Sequence, residues 1–404
     1  MEISGIVAEY NPFHNGHLFH LNETRKKCQS DGVIAVISGN FTQRGEPAVF
    51  DKWTRARMAL SQGVDLVLEL PSVFAVRSAG YFAKGAVETL AACGIVYYLS
   101  CGVESKNPES LKTLAEFLSA ETPEFKDKLL SHLKEGLSYP VAQQKTLQEL
   151  KIPGCNDLDL PNNTLAVEYQ KTICQENLSL KPVFITRNGG YRDEKLPDQK
   201  MQFASATAIR NTLISGSDLW KQHVPEEVIR LVLEGARSEL TPMTTDCFSQ
   251  MLLLLLRRSA PEEVKKITEI SEGLENRILQ SALKAQSFDE LCELVKSKRY
   301  PYSRIQRTCL HLLLNFTKDY EFLHPEYIRV LGFNETGQKI LKEMKSKAEL
   351  PVLIRPARQQ NQLTDTGKTM FRMDCRATDV YMLGYSLPSL RKGGLDLTKL
   401  PIKL

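Results

Sequence analysis

Short apolar runs alternate with helical patterns over the first two hundred or so residues of the chain. In chain order, the predicted strands are SGIVAEY, GVIAVISG, DLVLEL, IVYYLSCG and KPVFITR. Helical spacing lies between them at 17–29, 51–62 and 81–93, and a long, largely helical insertion precedes the last strand. This alternation predicts parallel strands in a doubly wound α/β sheet. Ligands of such sheets bind beyond the carboxyl ends of the strands, so the loops there are candidate ligand loops.

The pattern changes after residue 217. Four segments with helical spacing follow, namely PEEVIRLVLEGA, DCFSQMLLLLLRRSA, SEGLENRILQSALKA and SFDELCELVKSK. The last part, from EYIRVLGF onwards, has a strand–helix–strand pattern. We therefore predict a Rossmann-like α/β domain with a parallel sheet over 1–217, an α-helical domain over 218–320, and a small α/β C-terminal appendage over 321–404.

Length, charge and cysteine usage narrow the class of protein. A chain of 404 residues is too long for one compact core, which agrees with several domains. The longest purely apolar run, Met251 to Leu256, is far too short to span a membrane, so no membrane partner is expected. Nine cysteines without a CxxC pair are typical of reduced thiols, which predicts a cytoplasmic protein. A net charge of only +4 means that any attraction to nucleic acid must come from local patches.

Three of the chain's seven histidines, His14, His17 and His20, lie within seven residues after the first predicted strand. Their spacing of three could place two imidazoles on one helical face as metal ligands. His14 belongs to the loop, however, and structural zinc sites are normally closed by four ligands, so no protein-bound metal is predicted. A helix N-terminus after a strand instead suits phosphate, and Gly16 would allow close approach of the backbone. Imidazole donors at His14 and His17 would then stabilise charge that accumulates on phosphate oxygens, while His20 could equally be an ordinary polar helix residue.

A second motif strengthens the phosphate interpretation. The HxGH pattern at 14–17 resembles the first signature of the HxGH nucleotidyltransferase superfamily, and SATAIR at 205–210 resembles its second. Ser205 and Thr207 can cap the helix that begins there, and Arg210 can hold the β- and γ-phosphates.

A narrower resemblance covers nearly the whole chain. VAEYNPFHNGH, SGNFTQRGEPA, LPNNTLAVEY and SATAIR together resemble the bacterial tRNA(Met) cytidine acetate ligase family. The resemblance implies ATP activation of acetate to acetyl-adenylate, with Mg²⁺ bound mainly through the phosphates. Acetylation of N4 of the wobble cytidine of elongator tRNA(Met) would follow. The resemblance further implies an ATP site. Its residues would be Val7, Ala8, Glu9, Tyr10, Asn11, His14, Gly16, His17, His20, Gly102, Asn162 and Arg187, together with Ser205, Thr207 and Arg210.

Some of these positions have plainer interpretations. Glu9 is a candidate for ordering a water, a Mg²⁺ ion or a histidine, and the alternative is a merely solvated carboxylate. For Asn162 the alternative is a plain N-cap after Pro161. In the loop and helix after the second strand, four polar residues are candidates for placing a carboxylate or steadying phosphates, or for a solvated surface. They are Gln43, Arg44, Lys52 and Arg55.

The segment VKSKRYPYSRIQR, 295–307, combines basic residues with tyrosines and contains no acid. Cations match RNA phosphates and tyrosines stack on unpaired bases, so we predict that its side chains project from a turn and contact tRNA. A solvated turn is the alternative. The predicted contacts are Lys296, Lys298, Arg299, Tyr300, Arg304 and Arg307.

Two rival functions stay open from the sequence. One is an adenylyltransferase or acid–amine ligase with a small-molecule acceptor, against which the extra length and the basic segment count. The other is a non-catalytic RNA-binding regulator, against which the intact histidine and SATAIR motifs count.

Overall fold

The computed structural model describes residues 1–186, 196, 203–271 and 273–404. Its strands are β1 (Ile3–Ala8), β2 (Gly32–Ser38), β3 (Leu66–Leu70), β4 (Val96–Val103), β5 (Lys181–Thr186), β6 (Ile328–Phe333), β7 (Val352–Leu353) and β8 (Ile402–Lys403). Its α-helices are α1 (Asn15–Cys28), α2 (Lys52–Ser61), α3 (Ser72–Ala75), α4 (Ala79–Ala91), α5 (Pro108–Ala120), α6 (Pro123–Lys134), α7 (Tyr139–Glu149), α8 (Pro161–Gln175), α9 (Ala206–Ile214), α10 (Glu226–Arg237), α11 (Ser249–Arg258), α12 (Pro261–Lys265), α13 (Leu274–Ala282), α14 (Phe288–Val295), α15 (Tyr302–Leu314), α16 (Glu335–Lys347), α17 (Pro356–Gln359), α18 (Asp365–Met382) and α19 (Leu395–Thr398). Single 3-10 turns lie at Cys155–Asp157, Asp218–His223, Thr245–Phe248, Gln360–Gln362 and Pro388–Leu390.

The strands join one sheet in the order β5-β4-β1-β2-β3-β6-β7, with β8 also paired to β6. The first five strands are parallel to one another, as the alternating pattern predicted. β2, whose sequence GVIAVIS has almost no polar side chain, lies near the middle and is buried along its whole length. Parallel strands covered by helices on both faces need such continuous apolar runs. The carboxyl ends of β1 and β4 lie side by side and open the site described below.

The C-terminal strands extend this same sheet. β6 pairs antiparallel with β3, in a register that includes Leu68 opposite Val330, and β7 and β8 both pair with β6. The strand–helix–strand pattern is therefore confirmed, and the C-terminal α/β segment joins the sheet of the first domain. The reason is that β6 completes hydrogen bonds along the edge of β3, which the parallel strands leave open.

A buried ionic cluster joins α2 and β3, in the first part of the chain, to α19 near its C-terminus. Lys52 at the start of α2 contacts Glu69 of β3 and Asp396 of α19, each at 2.7 Å, and all three side chains are at most 3% exposed. The neighbouring carboxylates raise the pKa of Lys52 although burial by itself lowers it. Arg329 of β6 lies 3.6 Å from Asp396.

The predicted helices after residue 217 are present as α10, α11, α13 and α14. Two contacts join this helical region to the sheet. The Nε2 atom of His311 in α15 donates to the carbonyl of Val76 at 2.6 Å. Gly45, in the loop after β2, has φ +85°, and a Cβ there would lie 2.5 Å from the backbone nitrogen of Arg307. Within the described part of the chain, no helix is long and apolar enough to cross a bilayer.

Candidate active site

A cleft that is partly open to solvent lies at the carboxyl ends of β1 and β4. This is where an open α/β sheet binds its ligand. The predicted site residues that line it are Val7, Ala8, Glu9, Tyr10, Asn11, His14, His17, His20, Gly102, Asn162, Ser205, Thr207 and Arg210. The fold thus brings together residues separated by two hundred positions in the sequence.

His14 and His17 cap helix α1 reciprocally. Nδ1 of His14, the N-cap residue, accepts the N–H of Gly16 at 3.0 Å, and Nδ1 of His17 accepts the N–H of His14 at 3.2 Å. The two rings stack with their centroids 3.7 Å apart. A neutral imidazole whose Nδ1 accepts a hydrogen bond carries its proton on Nε2. Both histidines are therefore fixed as Nε2–H donors, at a helix end that already attracts anions.

The third histidine belongs to a chain of side-chain hydrogen bonds. The hydroxyl of Thr24 donates to the carbonyl of His20 at 2.8 Å and therefore accepts from Ser100 at 2.6 Å. Ser100 in turn accepts from Nε2 of His20 at 2.9 Å, because its one proton is used on Thr24. This order places the ring proton of neutral His20 on Nε2, so its Nδ1 is an acceptor. His20 and Ser100 both line the cleft.

The second motif approaches the histidine loop from the other side. Ser205 is the N-cap of α9, and its Oγ accepts the N–H of Ala208 at 3.0 Å. Arg210 donates from Nη1 to the carbonyl of Asn11 at 3.1 Å and from Nη2 to Oγ1 of Thr207 at 3.2 Å. The guanidinium thus ties both motifs into one anion-binding surface.

The opposite wall of the cleft comes from β4 and α8. Asn162 is the second residue of α8, and its Nδ2 donates to Oε1 of Glu104 at 2.9 Å. The N-cap of that helix is Leu160, so the plain-cap interpretation of Asn162 is wrong. Gly102 lies on β4 at the same wall. Burial raises the pKa of the neighbouring Cys101 thiol to about 12, which leaves it unreactive at neutral pH.

Of the candidates after β2, only Gln43 and Arg44 line the cleft. The N–H of Gln43 donates to Oε1 of Glu9 at 2.7 Å. Lys52 is in the buried ionic cluster, and Arg55 is fully buried. Both were candidates for binding a carboxylate or phosphates, and both are structural because they satisfy buried acceptors.

The acceptors of Arg55 are backbone carbonyls. Its guanidinium donates to Phe50 at 2.9 Å, to Glu9 at 2.6 Å and to Ser38 at 3.0 Å, and it also contacts the carbonyl of Gly39. These carbonyls belong to the ends of β1 and β2 and to the loop after β2. Arg55 therefore fixes the floor of the cleft without reaching a ligand.

Two predicted ATP contacts are placed differently. Gly16 is buried and does not line the cleft. Its N–H donates to Nδ1 of His14 and is therefore not available to a ligand. The prediction that Gly16 meets the ligand directly is therefore not supported. Arg187 lies outside the described residues, next to Thr186 at the end of β5.

The cleft's own side chains do not form a metal cage in the part of the chain that the structure describes. There, one group of three potential ligands lies close enough together to hold an ion, formed by Glu88, Glu176 and His324. It is remote from the cleft, and the ammonium of Lys84 lies 2.9 Å from Glu176 and 3.7 Å from Glu88. That cation neutralises the carboxylates without a metal.

The basic segment 295–307 is only partly exposed. Lys296, Lys298 and Arg299 are exposed, and Lys296 pairs with Glu293. Arg304 is half-buried and its guanidinium lies 5.0 Å from the ring centroid of Tyr300.

The prediction of projecting side chains is wrong for Tyr300 and Arg307. Tyr300 is 8% exposed and donates from its hydroxyl to the carbonyl of Ser271. Arg307 is 9% exposed, and its Nε lies 3.6 Å from a carboxylate oxygen of Glu269. Its backbone packs directly against Gly45. Packing against the loop after β2 covers Arg307, whereas Tyr300 is covered within the helical region.

Sequence reasoning missed several residues of the cleft wall. They are Thr42, Glu46, Phe82, Ser100, Glu104, Leu165 and Tyr169. Glu104 lies just beyond the carboxyl end of a predicted strand, and this position was a usable signal. Leu165 and Tyr169 share a helical face with Asn162, whereas Ser100 carries no such signal because it lies inside a strand.

Comparisons with known proteins show which proteins the chain is similar to. The model of the HIGH Nucleotidyl Transferase family matches residues 1–394. A tRNA(Met) cytidine acetate ligase of Thermoanaerobacter sp. (strain X514) is 40% identical, and one of Thermoanaerobacter pseudethanolicus is 41% identical, each over the full length of both chains. A crystal structure of Thermotoga maritima TmcAL bound with alpha-thio ATP superposes with a TM-score of 0.93 at 35% identity, covering all of both chains. The apo form of that protein gives a TM-score of 0.95.

Proposed function

The chain belongs to the HIGH nucleotidyl transferase family and, within it, to the tRNA(Met) cytidine acetate ligases, and we propose from this membership that it is an ATP-dependent tRNA cytidine acetate ligase. Acetate is activated as acetyl-adenylate, and the acetyl group passes to N4 of the wobble cytidine of elongator tRNA(Met). The observation that carries the proposal is the pair of Nε2–H donors, His14 and His17, held by reciprocal capping inside the cleft.

In the first step, an oxygen of acetate attacks the α-phosphorus of ATP and pyrophosphate leaves. Negative charge moves onto the non-bridging and leaving oxygens. His14 and His17 donate to those oxygens from Nε2, while the guanidinium of Arg210 and the N-terminus of α9 hold the phosphate chain. Because the donors are already fixed by backbone hydrogen bonds, they need little reorganisation as the charge develops.

The cleft fits a Mg²⁺ ion that is bound mainly through the phosphates. Among the cleft residues described, carboxylate oxygens are offered singly by Glu9, Glu46 and Glu104, and no three ligands converge. Glu46, 3.8 Å from Arg210, would supply the protein oxygen on the phosphate side. When bound, Mg²⁺ neutralises charge on the phosphates.

In the second step, the exocyclic amine of the cytidine attacks the acetyl carbonyl and AMP leaves. The residues beyond the sheet supply surface for a large acceptor. Lys298 and Arg299 are exposed cations that lie just before α15 in the sequence. That helix contacts the loop containing Gly45 through its residue Arg307. We propose that this surface binds tRNA phosphates and brings the anticodon to the cleft mouth. With tRNA as acceptor, the proposed location is the cytoplasm.

The proposal is tested by incubating the protein with ATP, labelled acetate and total tRNA. Label in tRNA that depends on ATP, and that maps to one cytidine of the methionine elongator, is the expected result. Acetate-dependent exchange of pyrophosphate into ATP without label in tRNA would favour the ligase with a small-molecule acceptor. Binding of tRNA without any acid-dependent ATP consumption would favour the RNA-binding regulator.

A further inference from the structure

Glu9 is the one acidic residue that directly follows the central strand β1, and it is held in a fixed position. Its side chain lines the cleft, and Oε1 accepts the N–H of Gln43 at 2.7 Å. Its backbone carbonyl accepts from the buried guanidinium of Arg55 at 2.6 Å. Glu9 is therefore held at its carboxylate by a loop amide and at its backbone carbonyl by a buried cation.

The charge of Glu9 does not suit a triphosphate. The phosphate side of the cleft is formed by donors, namely His14, His17 and Arg210, and a carboxylate beside them repels the nucleotide. The other two cleft carboxylates have partners: Glu46 lies 3.8 Å from Arg210, and Glu104 accepts from Asn162. Among the described residues, no hydrogen bond reaches Oε2 of Glu9. A fixed carboxylate oxygen at a ligand site calls for a donor from the ligand.

The acceptor amine of the proposed reaction is such a donor. The exocyclic N4 of cytosine carries two hydrogens, and carboxylates are the side chains that accept from it. Its lone pair is delocalised into the ring, so N4 is a poor nucleophile until a proton is drawn away. A phosphate acceptor has no proton to donate at neutral pH beyond its charged oxygens and would gain nothing from an anion here.

We propose that Glu9 is a catalytic residue of the transfer step, in which Oε2 accepts a hydrogen bond from the exocyclic amine and then its proton. The inference rests on the proposed function. As the N4–C bond forms, the C–O bond to the adenylate breaks and AMP leaves with the electron pair. One N–H proton passes to Oε2 and from there to solvent, so the product is a neutral amide.

The test separates activation from transfer in the full-length protein. Hydroxylamine intercepts acetyl-adenylate as acetohydroxamate and needs no positioned amine. We expect Glu9→Gln to form acetohydroxamate within about twofold of the wild-type rate. Its single-turnover transfer of acetate to tRNA should fall about 100-fold or more, as for loss of a general base. The glutamine keeps the acceptor for the N–H of Gln43 but presents an N–H to the amine.

The control is Glu349→Gln, the same change at an exposed residue, which should leave both rates unchanged. Wild-type transfer by Glu9→Gln overturns the inference. Equal loss of hydroxamate and transfer also overturns it, because Glu9 would then act in activation, for instance as a Mg²⁺ ligand. Affinity for tRNA should stay within twofold, and a parallel loss of affinity would show a docking role instead. Absence of acetohydroxamate from the wild type would reject the proposed function itself, whatever Glu9 does.

Discussion

Replacing His14 separates its role as the cap of α1 from its proposed role as a donor to phosphate. Its Nδ1 caps α1 through the N–H of Gly16, and its Nε2–H is assigned to phosphate. His14→Ala removes both functions. His14→Asn keeps a capping oxygen, because asparagine is among the best N-cap residues, but places no donor where Nε2 lies.

The two effects differ in size. Loss of the cap costs about 1 kcal/mol of folding free energy. With an unfolding entropy of about 2.1 cal/mol/K per residue, that is a shift in Tm of only about 1 °C for 404 residues. Loss of one preorganised donor slows charge-developing chemistry by about 10²–10³-fold, or about 2.7–4 kcal/mol in activation free energy. The rate is therefore the sensitive readout.

Acetate-dependent exchange of labelled pyrophosphate into ATP measures the activation step without tRNA. Both variants should lose exchange by about 10²–10³-fold, while His14→Asn should match the wild type in chemical denaturation. Wild-type exchange in His14→Ala would refute the donor assignment. Full recovery in His14→Asn would show that His14 acts only as a cap.

The remaining predictions concern tRNA docking, the buried ionic cluster and pH. Lys298→Glu with Arg299→Glu should weaken tRNA binding and lower the slope of log affinity against log salt by about 1.4, while leaving exchange intact. Lys52→Met leaves buried Glu69 without its paired cation and Asp396 with only Arg329, and it should destabilise the fold by about 3–5 kcal/mol in denaturant unfolding. Burial lowers the pKa of His311, so its stabilising contribution is complete above the unfolded pKa of 6.5 and is lost as the pH falls through the lowered value. Thermal unfolding between pH 7.5 and 5 should therefore be less pH-dependent in His311→Gln.

Each of these has a control or a contrary outcome. Lys342→Glu with Lys345→Glu makes the same charge change on exposed residues of α16 and should leave the salt slope unaltered. An unchanged slope in the patch variant would remove that surface from tRNA binding. A loss below about 1 kcal/mol in Lys52→Met would mean that water reaches the cluster. Stability of the wild type that rises on acidification through pH 6 would contradict the His311 assignment.

The parallel half of the sheet and the histidine loop were predictable from sequence because both depend on local order. A strand, a turn and a helix place His14 at a helix N-terminus whatever the rest of the chain does. The second motif could be joined to it because carboxyl ends of parallel strands share one edge. The structure then adds the ring tautomers, which depend on backbone hydrogen bonds that residue types alone do not specify.

The burial of Arg307 was not predictable, because it depends on contact with a loop about 260 positions earlier. Tyr300 is buried through a contact with Ser271, which residue types alone do not specify either. Basic residues at a helix start look the same in sequence whether they face solvent or pair with Glu269. Likewise, EYIRVLGF was identifiable as a strand, but its antiparallel pairing with β3 is a long-range choice.

The pairing of β3 with β6 also means that one strand of the pair is synthesised long before the other. Translation reaches Leu70 well before Ile328, and at about 5–20 residues per second the interval is roughly 13–50 s. During that time the apolar edge of β3 has no partner strand, and such an edge invites pairing with other chains. The nascent α/β half therefore keeps one open sheet edge until the far end of the polypeptide arrives, and only that end closes it.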